Sequence, residues 1–343
     1  MKRSITICSA QFGDIPLPKL LPKLRSMGYE GVEIACQSHL DIYSVVNDIN
    51  YRNSIIKLFE DNHMSITAIS AHLMGQCVGD RPDPRLDNFA PNSLAGKPEQ
   101  IRSWAINGMK TAAKAAQLLN VKVVTCFLGS PIWAWWYSFP QTTTSMIESG
   151  YEEIRKLWTP IFDEYDKCGV KLALEVHPTE IAFDYYSTKK LLEVLDYRPT
   201  LGLNFDPSHL LWQGIDPAVF IKDFSDRIYH VHMKDVKINQ DGRCGILGSH
   251  LEFGDTRRKW NFVSLGHGNV DFDSIIRELN SCNYDGPLCV EWEDSGMDRM
   301  FGAQEAYSYV DKINFQASTF AFDSALKDDL NCKSTSDKVY YNK

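Results

Sequence analysis

Two short apolar runs between Leu201 and Asp235, LGLNFDPSHLLWQGIDPAVFIKDFSDRIYHVHMKD, each end in residues that bind metals or carry protons. The first ends at Asp206 and His209, the second at His230, His232, Lys234 and Asp235. Two further runs share the habit: VKLALEVH ends at Glu175 and His177, and GPLCVEWED at Glu291 and Glu293. Carboxylates joined by one imidazole form a hard, oxygen-rich donor set suited to manganese, magnesium, cobalt or zinc. Each acid alone is weak evidence, because a strand-end Asp or Glu also caps the helix that follows. Recurrence on four successive runs favours the metal.

Such residues meet only if the elements beneath them converge. Between Asp206 and His230 the chain makes a turn and then a short amphipathic helix with Pro217 in its first turn, giving strand, helix, strand. The same alternation runs through the chain eight times. Expected strands are ITICSAQF, GVEIA, SITAISAH ending at His72, VKVVTCF, VKLALEV, the two runs above, and GPLCVEWED. Helical stretches lie between them, the first ending at Gly28. Eight such units predict an α/β fold, a closed (β/α)8 TIM barrel. An open doubly wound sheet fits less well, since no Gly-rich phosphate turn follows the first strand. In the barrel, Glu175, Asp206, His232 and Glu291 face one mouth.

Residues 1–343 read as a single domain with loop insertions at 73–97 and 237–264 and a polar tail at 328–343. Loops of this length inside a compact domain are usually functional. Trp133, Trp135, Trp136, Tyr137 and Phe139 crowd a third loop, where aromatic faces suit a sugar ring or a lid packed on the domain itself. A net charge of −8 disfavours nucleic acid as a partner. No stretch of the sequence suits a signal peptide or membrane span, so a cytoplasmic protein without a membrane partner is expected. The nine cysteines include no CxxC pair and read as reduced thiols. His39, His63 and His250 lack convergent partners and read as structural.

EVHPTEIAFD, NFDPSHLLWQG, HVHMKD and GPLCVEWED resemble the signatures of the xylose isomerase-like TIM-barrel superfamily, which includes sugar isomerases, sugar 3-epimerases and AP endonucleases. GHGNVDF, at 266–272, is similar to its glycine turn before the seventh helix. The resemblance implies one divalent ion, manganese before magnesium, cobalt or zinc, on Glu175, Asp206, His232 and Glu291. It also implies that Glu175 and Glu291 serve as the acid/base pair in proton abstraction beside a sugar carbonyl. His209 matches a position that contacts substrate or, in the nuclease branch, a second metal. The insertions resemble those of longer members that cleave 3-keto-glycosides, including C-glycoside deglycosidase large subunits, so a lyase is the alternative to an isomerase or epimerase. A barrel that only binds sugar is a third reading. For a lyase, His177 and His209 are candidate proton donors. His72, Trp133, Trp135, His230, Lys234, Arg257 and Arg258 are candidate contacts for a small sugar or keto-glycoside. A homo-oligomer or a small second subunit stays open.

Overall fold

The computed structural model describes residues 2–318. Eight parallel strands close a barrel: β1 (Ile5–Cys8), β2 (Gly31–Ala35), β3 (Ser65–Ser70), β4 (Val123–Cys126), β5 (Lys171–Glu175), β6 (Leu201–Phe205), β7 (Ile228–Met233) and β10 (Leu288–Val290). They pair in the order β1-β10-β7-β6-β5-β4-β3-β2, so the first and last strands meet and no edge is left. The (β/α)8 expectation is met. Helices alternate with the strands, and most begin at an aspartate. Asp41, Asp48, Asp184, Asp216, Asp271 and Asp298 each accept backbone N–H bonds from the first turn that follows them. Pro217 fills the first position of the helix Pro217–Asp223, and Gly28 ends the first helix in the left-handed region.

Ile5, Ile7, Val32 and Leu288, all nearly inaccessible, alternate along their strands with the inward-facing Thr6, Glu33 and Cys289 and so pack between the barrel and its helices. Toward the carboxyl ends the barrel filling is polar: Glu33, Thr125, Asn204, His230 and His232 are all buried. Register shifts fall beside two of these residues, between Val32 and Glu33 and between Leu203 and Asn204. Such irregularities re-aim side chains.

The expected loops are partly ordered elements. The insertion at 73–97 begins as a helix, His72–Gly79, followed by short 3-10 turns at Pro84–Asn88 and Asn92–Leu94. Glycine serves packing in this helix: a Cβ on Gly75 would lie 2.1 Å from the Phe127 carbonyl oxygen just after β4. The insertion at 237–264 is framed by an antiparallel pair, β8 (Asp235–Ile238) and β9 (Trp260–Val263). Trp260 stacks on Trp212 at 4.4 Å, tying this hairpin to the barrel rim. The last helix runs Arg299–Ile313, and the polar tail expected at 328–343 lies outside the described residues. Among the described residues no helix is long and apolar enough to cross a membrane.

Candidate metal centre

Glu175 closes β5, Asp206 directly follows β6, His232 is the penultimate residue of β7, and Glu291 directly follows β10. One ligand atom from each of these four lies within 4.8 Å of the others. Asp206 also begins the short helix Pro207–Leu211. Its Oδ1 accepts the Ser208 N–H at 2.8 Å and the Ser208 hydroxyl at 2.7 Å. Its Oδ2 is buried without a hydrogen-bond partner, and His209 Nε2 lies 3.4 Å from it. Capping and ligation are therefore not alternatives here, because each takes one oxygen. The Nδ1 atom of His232 lies 3.2 Å from Glu175 Oε2 and 3.0 Å from Glu291 Oε2. Three carboxylates gathered beside one imidazole in a dry interior call for positive charge, of which the Lys234 ammonium, 3.3 Å from Glu291, supplies a part. With the free Asp206 oxygen among them, the donors fit a hard divalent cation.

Histidines surround this cluster on the β3 and β5 sides. His72 Nε2 lies 3.0 Å from Glu175 Oε2, while its Nδ1 is 2.7 Å from the Ser70 hydroxyl. His209, one turn along the short helix, brings Nε2 to 3.2 Å from Glu175 Oε1. Its ring is 4.1 Å from that of His177 and 5.2 Å from that of Phe262 on the hairpin. Phe127 packs between His72 and His177. Lys234 is buried beneath Phe262, with its ammonium 3.3 Å from Glu291 and 3.0 Å from Glu293.

These neighbours set the charges. Burial opposes ionisation of Glu175, but hydrogen bonds from His209, His232 and His72 outweigh it and hold the carboxyl well below the ordinary range. At Glu291 the cost of burial is likewise overcome, chiefly by Lys234 and His232, and the carboxyl is held at about 2. Asp206 has less help, and burial pushes it up to about 6. Burial and the adjacent His209 keep His177 well below the usual imidazole range.

A family model described as "Xylose isomerase-like TIM barrel" matches residues 21–313. The chain belongs to the xylose isomerase-like TIM barrel family. Over 309 residues it is 24% identical to the uncharacterized protein YfiH of Bacillus subtilis, a match covering 83% of this chain and 91% of that one. It is 31% identical over 170 residues to the inosose dehydratase of Clostridium tetani, covering 43% of this chain and 55% of the relative. The chain thus spans about half the length of that dehydratase. Among solved structures, the 3-keto-D-glucoside 4-epimerase YcjR of E. coli superimposes with a TM-score of 0.65 at 14% identity, covering 91% of this chain and 100% of that one.

On this xylose isomerase-like barrel the residues expected to form the site divide into two groups. Glu175, Asp206, His232, Glu291, His72, His177, His209 and Lys234 come together as described above. The others find partners elsewhere. His230 is buried one layer deeper, against Glu33, rather than at the mouth where a substrate contact is expected. Arg257 is exposed and paired with Asp255, two residues away. Arg258 is buried, donates to the carbonyls of Leu251 and Trp260, and lies on the Phe253 and Trp260 rings, so it holds the insertion together. Trp133 packs edge-on to Phe183, and Trp135 is covered by Arg81, so part of the tryptophan loop is a lid packed on the barrel. Tyr137 and Phe139 stay exposed. His39 is structural, as expected, held by Ser9 and the Ile15 carbonyl.

Several polar residues were not expected at all. Asn204 donates to Glu175 at 3.0 Å. Glu180 is buried and accepts the Leu128 and Gly129 N–H groups at 2.7 Å. Glu33 sits fully buried under His232. Their one sequence signal is a charged or amide side chain inside an otherwise apolar strand or turn, as in GVEIA and LGLNF.

Proposed function

We propose that this chain is a divalent-metal-dependent enzyme that removes a proton from the carbon beside a sugar carbonyl and returns one, acting as an isomerase or epimerase. One arrangement carries the reading: Glu175 and Glu291 approach the same His232 nitrogen from different strands, beside the free Oδ2 of Asp206. A C–H group next to a carbonyl is very weakly acidic in water, so negative charge growing on oxygen must be met in the transition state. A divalent ion held by Glu175, Asp206, His232 and Glu291 would meet it as a Lewis acid, manganese being the first expectation. One of the two glutamates takes the proton, and its partner returns one on the opposite face of the carbon. His72, His209 and Lys234 favour the ionised form needed by the glutamate that acts as base, and the partner takes from solvent the proton it returns. A small sugar or keto-glycoside is the substrate class, and the whole chain acts as one domain.

A lyase outcome has its own support. His177 and His209 stand 4.1 Å apart beside Glu175, close enough to hand a proton to a departing hydroxyl or glycosidic oxygen. The partial likeness to inosose dehydratases accords with that outcome. Incubating the metal-loaded protein with a panel of ketoses and 3-keto-glycosides in deuterated water separates the readings. A product of unchanged composition carrying one deuterium on carbon is expected. Loss of water or cleavage into two fragments would replace isomerisation with elimination, and no exchange across the panel would refute the enzyme reading. Glu175→Gln and Glu291→Gln should each lower exchange by about 10²–10⁴-fold, the usual worth of a positioned acid or base. Near-normal exchange in either would remove its assigned role.

A further inference from the structure

Beneath the cluster of Glu175, Asp206, His232 and Glu291, the barrel interior holds a second polar group with no surface exposure. Its centre is Glu33 of β2. Oε1 of Glu33 accepts the Thr125 hydroxyl of β4 at 2.6 Å. Oε2 lies 2.9 Å from His230 Nε2 and 2.8 Å from His232 Nε2, both on β7, and 3.5 Å from the Cys289 thiol on β10. Glu33 therefore reaches across the barrel and touches three other strands. Every atom around its carboxylate can donate a hydrogen bond.

An ionised carboxylate only accepts, so each imidazole that contacts Oε2 must present an N–H there. For His232 this assigns a hydrogen to Nε2, and Nδ1, 3.2 and 3.0 Å from Glu175 and Glu291, is the nitrogen at which a bound ion would take the place of a proton. Metal-binding histidines commonly donate their other nitrogen to a carboxylate, which fixes both tautomer and ring orientation. We propose that Glu33 is a positioning residue for His232, held in turn by Thr125 and His230, and that it presents Nδ1 rather than Nε2 to the ion. This rests on the metal reading given above. His230 is then a second donor to Glu33, which accounts for an imidazole buried below the mouth whose Nδ1 has no hydrogen-bond partner.

Glu33, His230, His232 and Cys289 could themselves be taken for a metal site, since their ligand atoms also lie within 4.8 Å of one another. The hydrogen bonds argue otherwise. Thr125 already engages Glu33 Oε1 and the two Nε2 atoms engage Oε2, whereas in the upper cluster Asp206 Oδ2 has no hydrogen-bond partner. The ion belongs above, and Glu33 orients one of its ligands.

The test uses full-length protein and Zn2+ as the probe. Chelator competition should give one ion per chain for the wild type. Glu33→Gln, which keeps the size but loses the charge, should bind zinc about 10–100-fold more weakly. Thr125→Val, which removes only the bond to Oε1, should show a smaller loss of the same sign. Urea denaturation with EDTA present, run on each variant, separates lost orientation from lost folding. Long-range 1H–15N correlation spectra of the zinc-loaded, 15N-histidine-labelled wild type need no variant, and should show His232 protonated at Nε2 and bound through Nδ1. Zinc on Nε2 of His232, a second ion per chain, or wild-type affinity in a folded Glu33→Gln protein would each overturn the Glu33 role while leaving the metal reading intact. No zinc binding by the wild type would remove both.

Discussion

At the scale of single residues, Asp206 is the informative one, because its two oxygens have separate work. Oδ1 caps a helix, and Oδ2 faces the ligand cluster. Asparagine caps about as well as aspartate, so Asp206→Asn should leave the metal-free protein within about 1 kcal/mol of wild-type stability by urea denaturation. The same variant should lose most of its affinity for divalent ions in a chelator competition. Equal loss in both measurements would show that the two oxygens act together. Asp206 was readable in the sequence because it ends an apolar run, as do Glu175, His232 and Glu291. Glu33 was not readable, for a physical reason: its partners His230 and His232 lie almost two hundred positions away, and nothing local in GVEIA marks where its side chain points. Arg257 and Arg258 misled in the opposite sense. Their charge suggested a ligand, but Asp255 and the Leu251 carbonyl had already engaged them.

At the scale of elements, strands and helices followed from apolar periodicity, while two insertions read as loops contain regular structure. Residues 73–97 read as one long loop because the segment is rich in Asp, Pro and Arg; the helix at its start gains a close approach to β4, which only the tertiary fold reveals. The GHGNVDF turn has a similar explanation. Asp235, at the start of β8, accepts N–H bonds from Val236, Gly266, Gly268 and Val270 at 2.8–3.1 Å. A Cβ on Gly268 would stand 2.1 Å from Asp235 Oδ1, so a side chain there must displace the carboxylate. Gly268→Ala should lower the melting temperature and also weaken metal binding, because Asp235 is three residues from His232. A melting temperature equal to that of the wild type would show that the turn is more pliant than this packing implies.

At the scale of the whole molecule, stability should respond to metal and to pH. An ion that binds only the folded chain, at one hundred times its dissociation constant, adds about 2.7 kcal/mol. Thermal unfolding should therefore shift up by several degrees with Mn2+ or Zn2+, and the shift should vanish in Glu291→Gln. One part of the pH response comes from Asp80, outside the ligand cluster, whose carboxyl is raised from 3.8 to about 6, chiefly by burial. The folded state then holds a proton that the unfolded chain releases near pH 4, so stability falls as pH rises from about 4 to 6 and levels off above that. At about 1.4 kcal/mol per unit, this amounts to about 1–3 kcal/mol. Urea denaturation at pH 4 and pH 7 should show the wild type losing that much relative to Asp80→Asn, whereas parallel curves would place the proton elsewhere. The four amides that hold Asp235 also bear on how such a barrel diversifies. They fasten the chain immediately beyond Lys234, so the span between β8 and β9 can change in length and composition without transmitting strain back to His232. Shortening or replacing residues 239–259 should therefore leave divalent-ion affinity unchanged.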